Sequence, residues 1–479
     1  MGTDDGLVHV SPDGGETWRA ASALPEFPVD GFINNVKASQ HSSDEVFVVG
    51  DAHKNGDYAP YVFSSTDQGA TWQSISGDLP EGTIVWSIEQ DHVNADLLFA
   101  GTEYGLYVTL NRGVNWHRLE SAPTIAFRDV VIQRRDRDVV GATFGRGIYV
   151  LDDYTALRTL NDDQLAAEAA LFETRDAWWY VPHQTAQSEG QPTLGSSAFA
   201  APNPDFGATF TYHLANDLLS AKKQRRSDEK PDGDMRPDIQ FPGWEALWEE
   251  HVETDPVLFL LISAADDTPI RRLVVPAKKG LQRASWDLRL AAPDPVKLDK
   301  PEFTAPWETP AKGPLVKPGT YHAQLVVADA DGPRPLGEKQ SFEVTPIPAV
   351  ADHPDLTGTI EFWHEAWELQ RQVLAAAKHL TKVQTRIKED RVDLERTPDA
   401  SPDDFVALDA RHRHLEEQLR ALQGDPVRGE LHEATTPSIK ERVGRIAYWE
   451  TTQPPTTTQR ESLAIAQAAF NQLEIPDLT

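Results

Sequence analysis

The chain writes one eight-residue phrase three times: SPDGGETW at 11–18, STDQGATW at 65–72 and TLNRGVNW at 109–116. A phrase recurring every 40–54 residues or so constrains the fold more than composition does, because each copy must belong to one supersecondary unit of an array. Each phrase reads as a hairpin turn. Asp13, Asp67 and Asn111 are turn formers whose side chains can accept hydrogen bonds from nearby backbone N–H groups. Gly15, Gly69 and Gly113 can supply the positive φ such a turn demands. Trp18, Trp72 and Trp116 are expected to return into the sheet and bury a large ring.

Gly-bounded strands lead into the phrases: GTDDGLVHV (2–10), VFVVGD (46–51) followed by 61–64, and GTEYGLYV (101–108). A fourth lead-in, GATFGRGIYV (141–150), has no phrase behind it. Several short strands per repeat at this period are the signature of propeller blades. Propellers close with about four to eight blades, yet only three full units and one terminal strand are visible. An unclosed fan would leave open strand edges, which template aggregation. The expected architecture is therefore multidomain and mainly β. It begins with a partial β-propeller of about 3–4 blades over 1–158, the C-terminal part of a larger wheel. The remaining blades would lie upstream or come from a partner chain.

Beyond the last lead-in, a short helix is expected at about 161–169, inside a connector spanning 159–205 whose 183–205 tract is rich in Gln, Ser and Pro. A second β pattern follows at 206–214, 257–264, 270–275, 281–290, 319–327 and 340–345. Alternating short strands with turn signals between them predict a β-sandwich over 206–348. It is interrupted by a charged excursion (216–255, with a possible helix at WEALWEE) and a Pro-rich one (291–318). Trp286 is expected in its core, and Asp287–Arg289 as a hairpin pair. The rest, 355–475, is predicted helical. Ala366, Leu369, Val373, Ala376, Leu380, Val383, Ile387 and Leu394 fall at alternating steps of three and four, and Phe405, Leu408, Leu415, Leu419 and Leu422 repeat the rule after TPDASPDD. Two helices packed as an antiparallel hairpin are expected, with shorter ones at Ser438–Trp449 and Thr458–Leu473 around QPPTT. Trp363 and Trp367 could dock this bundle on the sandwich.

The phrase S-x-D-x-G-x-T-W resembles the Asp-box of BNR-type propellers, found in sialidases, some glucanases and sortilin-like proteins. Ser11, Asp13, Gly15, Thr17 and Trp18 match it fully, as do Ser65, Asp67, Gly69, Thr71 and Trp72. The third copy keeps Gly113 and Trp116 but has Thr109, Asn111 and Asn115 at the other places. The resemblance implies a structural role for these residues, on the periphery and away from the face where ligands bind. WDLR at 286–289 and PGTY at 318–321 look like the Ig-like module appended to many secreted bacterial proteins. With ATFGRGIYVLDDYTALR (142–158) and the PPTT-interrupted tail, the chain resembles the C-terminal half of large sortilin-like, BNR-repeat bacterial proteins often labelled "glycosyl hydrolase". That resemblance implies a signal peptide upstream and work outside the cytoplasm, periplasmic or secreted, although no signal peptide opens this chain.

Composition narrows the function classes. Acidic residues outnumber basic ones 75 to 45, a formal charge of −30, which disfavours a nucleic-acid partner. The basic run KKQRR (222–226) is cancelled at once by SDEKPDGD. No apolar run approaches the ~20 residues a membrane span needs. There is no Cys, so thiol nucleophiles, disulfides and Cys-based metal sites are excluded. No metal site is expected either: His412 and His414 face different ways on a helix, and His364-Glu365 lacks the second His of HExxH. No P-loop, nucleophile elbow or dinucleotide fingerprint is present, so no cofactor is expected.

A sialidase would need three Arg gripping a carboxylate, and none of Arg19, Arg112, Arg118, Arg128, Arg134, Arg135, Arg137 and Arg146 sits in a pattern matching that clamp. Arg146, flanked by glycines, could reach an anion near the propeller centre or merely seal the last blade. A glycosidase needs two carboxylates roughly 5–10 Å apart. Asp4, Asp5, Asp51, Glu103, Asp152 and Asp153 lie near strand ends and are the candidates. The leading expectation is a non-catalytic binding or scaffolding protein with a protein, peptide or glycan ligand. Its rival is a carbohydrate-active hydrolase with a carboxylate pair on the propeller face, and a third reading is a purely structural surface component.

Overall fold

The computed structural model describes residues 1–182, 201, 203–230, 240–298, 303, 311–447 and 450–475. Most of the expected 183–205 tract, parts of both excursions and Trp449 thus lie outside the described residues. The chain divides into two compact units, one of residues 1–175 and 211–216, the other of residues 176–210 and 217–479.

The first unit is mainly β, a series of four antiparallel sheets. The first sheet has two strands, His9–Val10 and Arg19–Ala20. The second runs Phe32–Ala38, Val46–Ala52, Asp57–Ser65 and Gln73–Ser74, each pairing with the next. The third repeats that plan with Val85–Gln90, Leu98–Thr102, Gly105–Thr109 and His117–Arg118. The fourth has three strands, Phe127–Gln133, Asp138–Thr143 and Ile148–Leu151.

Strand alternation explains how these sheets pack, since successive side chains point to opposite faces. From Val46–Ala52, Phe47 and Val49 join Val85, Ile88, Leu98 and Ala100 of the third sheet in one core. Val48 and Phe63 turn the other way and join Val8 of the first sheet. Leu97, Phe99, Leu106 and Val108 meet Phe127, Val130 and Val139 of the fourth. Each interior sheet therefore buries both faces, and its second strand opens on an apolar run, VFVV at 46–49 and LFA at 98–100. Backbone is left bare where something crosses it: a Cβ on Gly50 would lie 2.6 Å from the Phe27 ring, and one on Gly101 2.7 Å from the Phe127 carbonyl oxygen.

After the fourth sheet the chain folds back on the third. Tyr154 packs edge-on to Phe99 at 5.2 Å, and Arg158 reaches the fully buried Asp91 at 2.8 Å. The single helix expected at 161–169 is replaced by two short ones, Ala156–Thr159 and Asp162–Ala166, and a strand, Ala169–Leu171. The break has a local cause: Asn161 is extended and its side chain accepts from Gln164 N at 2.9 Å, starting a new helix.

In the second unit a five-stranded sheet has the order Ala177–Trp179, Gly332–Pro346, Gly319–Asp329, Val257–Ala264 and Pro269–Val274, parallel only in its first pair. Trp286, at the end of Gly280–Trp286, is fully buried, with Tyr321 and Phe342 at 5.5 and 6.3 Å. Asp287 and Arg289 do not pair through their side chains. Leu288 adopts φ 54°, Asp287 instead accepts Arg289's own backbone N–H at 3.3 Å, and the guanidinium goes to Glu450 at 2.7 Å and the Gly313 carbonyl at 2.8 Å. Helices Leu356–Arg396, Pro402–Gln423, Ile439–Ala447 and Thr457–Phe470 share one core, in which Leu369, Val373 and Leu380 meet Leu415, Leu422 and Val443. Ser401 and Asp404 form a capping box at the start of the second helix. Trp367 donates its indole N–H to the Ala291 carbonyl at 3.0 Å, and Trp363 to that of Thr451 at 3.1 Å.

Candidate functional site

The three phrases build one turn. Ser11 Oγ donates to Asp13 at 2.9 Å and accepts Gly15 N–H at 2.6 Å, while the Asp13 carboxylate takes Thr17 N–H at 2.8 Å and the Thr17 hydroxyl at 2.5 Å. Ser65, Asp67, Gly69 and Thr71 repeat these bonds at 2.8, 2.8, 2.8 and 2.6 Å. The third copy keeps the scheme with different atoms. Thr109 replaces Ser, Asn111 Oδ1 accepts Asn115 N–H at 2.9 Å, and Asn111 Nδ2 donates to Asn115 Oδ1 at 3.1 Å. Replacing Asp by Asn turns an acceptor into a donor, and Asn at the Thr position supplies the matching acceptor. Gly15, Gly69 and Gly113 have φ of 101°, 78° and 84°. Thr17 and Thr71, first through their hydroxyls and then through their backbone N–H groups, hold Asp13 and Asp67 down to about 2.

The tryptophans bury unequally. Trp116 is buried and Trp72 half-buried, whereas Trp18 is 52% exposed, against the expectation of burial. The rings do not fill their own sheets; they cross to the preceding one. Trp116 donates to the Ile75 carbonyl of the second sheet at 3.0 Å, and Trp72 packs in the core shared with the first. Trp18 instead turns its N–H onto Gly15 O at 3.1 Å.

The opposite end of the sheets carries the chemically richer arrangement. Phe32 pairs with Asp51, Val85 with Thr102 and Phe127 with Thr143, so first-strand starts lie beside the loops that join second and third strands. The phrase turns, which join third and fourth strands, are at the far end. Contacts at the near end link three sheets. His53 lies edge-on to Trp86 at 5.8 Å, Arg128 sits over Trp86 at 3.5 Å, and Trp86 donates to Glu103 Oε2 at 2.9 Å. Glu103 faces Arg128 at 3.9 Å, and the guanidinium also lies 5.3 Å from the Phe144 ring. Lys54 covers Phe32 at 4.0 Å. Phe144 is 73% exposed, so a flat apolar ring lies open beside a fixed cation and carboxylate, and Tyr104, next to Glu103 in the chain, is 54% exposed.

Of the sequence candidates, Asp51 and Glu103 enter this cluster. Asp51 is 1% exposed, and its Oδ1 accepts His53 N–H at 3.1 Å and contacts the same imidazole. Asp4, Asp5 and Arg146 occupy exposed loop tips of the first and fourth sheets. Asp152 and Asp153 belong to the chain's return toward the third sheet; Asp153 holds the Thr155 hydroxyl. Trp86, Arg128 and Phe144 were missed as a group. Their signal is positional: Phe32 opens the first strand of its sheet, and Trp86 and Arg128 are each the second residue of theirs, skipped at the register shift after the first pair. Among the described residues no group of three or more His, Asp or Glu is placed to hold a metal ion, and no helix is long and apolar enough to cross a membrane. His364 bonds the Leu315 carbonyl at 2.8 Å, and burial lowers its pKa.

No family model and no curated protein matches the chain. Solved structures similar to it include an ancestral GH74 enzyme, 18% identical, covering 30% of this chain and 21% of that one at a TM-score of 0.25. A GH74 enzyme from Niastella koreensis is 19% identical over 37% of this chain and 24% of that one, also at 0.25. YCF48 from Cyanidioschyzon merolae is 23% identical over 30% and 46%, at 0.22. The chain thus spans less than half the length of each, and at these scores the likenesses carry no weight beyond the sheets themselves.

Proposed function

We propose that the first unit is an arc of an Asp-box β-propeller of the BNR, sortilin-like kind, working outside the cytoplasm as a non-catalytic binding module. In this reading the arc covers 1–158 and a connector 159–205. An Ig-like sandwich with excursions at 216–255 and 291–318 covers 206–348, and a helical bundle built on an antiparallel hairpin covers 355–475. The binding face is the near end of the sheets. One observation carries the reading: Arg128 is held 3.5 Å over Trp86 and beside Glu103, with the exposed ring of Phe144 at 5.3 Å. Flat rings with a fixed charge pair suit stacking on a sugar ring or a peptide aromatic, with hydrogen bonds at its rim. Glycoside hydrolysis asks instead for two carboxylates free to serve as acid and base or nucleophile. Asp51 is buried and committed to His53, which disfavours that rival.

Glycan and peptide arrays, followed by titration calorimetry on the best ligand, test the proposal. Arg128→Ala should weaken binding about 2- to 30-fold, the range of a cation–π contact of roughly 0.5–2 kcal/mol. No glycoside in a broad panel should turn over. Turnover that disappears in Glu103→Ala would instead establish the hydrolase.

A further inference from the structure

In the second unit one helix is turned the wrong way for its composition. Trp244–Val252 packs against the helix Ala221–Asp228 and makes that contact with its acids. Arg225 Nε and Nη2 donate to Glu250 at 2.7 and 2.8 Å. Glu253 accepts Ala221 N–H at 2.9 Å, and Asp255, just past the helix, accepts Lys223 Nζ at 2.8 Å and the Ser220 hydroxyl at 2.7 Å. The basic run KKQRR is thus spent inward, where the charges of Lys222 and Arg226 also bear on Glu250. The aromatics are left outside. Trp244 and Trp248, one turn apart, are 81% and 61% exposed, and the exposed Phe241 and Val252 extend the row. Phe241 meets Trp244 edge-on at 5.2 Å, and His251 lies tilted against Trp248 at 5.6 Å. Glu245 and Glu249, each following a tryptophan, form an exposed second row beside the first. Among the described residues neither carboxylate has an ion pair or a hydrogen bond. An ordinary amphipathic helix buries its apolar row and wets its charges. Here that order is inverted, and an exposed apolar row rimmed by polar groups marks an interaction surface.

We propose that this row docks a basic segment of another protein, one with arginines at alternate positions. The surface offers indoles with carboxylates beside them and lacks only the cation. The first unit shows the completed form of that arrangement: Arg128 lies 3.5 Å over Trp86 and 3.9 Å from Glu103. A guanidinium gains from the ring face and the carboxylate together. The two tryptophans repeat after one helical turn, about 6 Å apart at their stems, close to the ~6.6 Å between alternate residues of an extended chain. Other occupants fit the charge worse. An anionic membrane surface would meet Glu245 and Glu249 on a chain of formal charge −30. A neutral sugar could stack on the rings but would leave both carboxylates without a counter-charge. The proposal does not depend on what binds at Arg128.

Fluorescence anisotropy of a labelled nonapeptide alternating Arg and Ser, titrated with the full chain, tests it. Wild type should bind this peptide saturably, its lysine analogue more weakly and its glutamate analogue not at all. Trp244→Ala and Trp248→Ala should each weaken binding about 2- to 30-fold, the range of a cation–π contact. Glu245→Gln/Glu249→Gln should weaken it by a similar factor at low salt and by less at high salt. A chain this acidic attracts any polycation, so the control is Glu430→Gln/Glu433→Gln, the same charge change at two other exposed positions. It should stay within about twofold of wild type. Every changed side chain is exposed, so circular dichroism melts should match wild type. No saturable binding by wild type overturns the proposal. So do tryptophan variants that bind the peptide as tightly as wild type, or a control that loses as much as the Glu245 and Glu249 pair. Tryptophan variants that lose phosphatidylcholine vesicles or an immobilised glycan, but keep the peptide, overturn it as well.

Discussion

Asp91→Ala should loosen the fourth sheet far more than its distance from any candidate ligand site suggests. Asp91 is fully buried at the end of the third sheet's first strand and ties down the chain after the fourth. Its Oδ1 accepts Arg158 Nη2 at 2.8 Å and the Tyr154 hydroxyl; its Oδ2 accepts Arg158 Nε at 3.0 Å, Val93 N–H at 3.0 Å and Asn94 N–H at 2.7 Å. Burial pushes the carboxyl pKa up, but Arg158, Tyr154 and the Asn94 N–H together hold it below its usual range. Burial and the Asp91 charge push the Tyr154 phenol up. Removing the carboxylate leaves Arg158, only 9% exposed in its side chain, without a counter-charge. Breaking such a pair costs about 3–5 kcal/mol. At a factor of ten per 1.4 kcal/mol, amide exchange in peptides over 127–158 should accelerate at least about 100-fold. Exchange read by mass spectrometry suits this test because a chain of two units does not unfold in one step. Asp91→Ala/Arg158→Met should be less damaged than the sum of the single variants, since no orphaned charge remains. Since the folded pKa is depressed, the stabilisation is complete above the unfolded value of about 3.9 and fades as pH falls through the folded one. Exchange in Asp91→Ala within about fivefold of wild type, a difference under 1 kcal/mol, would refute the reasoning.

Acid should separate the three phrase turns. Asp13 and Asp67, both near 2, contribute fully above about pH 3.9 and lose that contribution as pH falls toward 2, so the Thr17 and Thr71 amide resonances, whose N–H groups these carboxylates accept, should shift there while that of Asn115, held by neutral Asn111, stays put. Alanine at the turn glycines should divide by packing. Gly15→Ala costs about 1–2 kcal/mol for the left-handed backbone alone, whereas Gly113→Ala adds a Cβ 2.4 Å from the Ile75 carbonyl and should cost about 3 kcal/mol or more, read by denaturation of the first unit. In the second unit Glu450→Ala strands Arg289 and the Leu315 N–H that the carboxylate accepts at 2.8 Å; calorimetry should show a loss of about 2–4 kcal/mol, partly restored by Gln.

What the sequence revealed follows from where its physics is local. The phrase turns were legible because Asp13 and Thr17, or Asn111 and Asn115, are four residues apart and satisfy each other within one loop. The helix seam at Ala366–Ile387 was legible because its period is a property of one element. Trp18 was misjudged because a ring's burial depends on which sheet precedes it, and spacing does not encode that. Arg289 was paired with its near neighbour, while the structure sends it to Glu450, 161 residues away. The near-end cluster was half legible: Glu103 and Asp51 stood out as acids beside loops, but Trp86 and Arg128 sit inside strands where a Trp or Arg reads as sheet. Only the cross-sheet geometry assembles them.

The two-sided burial of Val46–Ala52 and Leu98–Thr102 removes an ordinary safeguard during folding. A strand with one wet side punishes a one-residue slip by sending oil to water; here the slipped and correct pairings hide nearly the same greasy surface. Shape must do the proofreading, through the notches at Gly50 and Gly101 that admit only one alignment with Phe27 and the Phe127 backbone. Filling a notch would thus do its harm first on the refolding pathway, as mispaired chains that cannot find their way back.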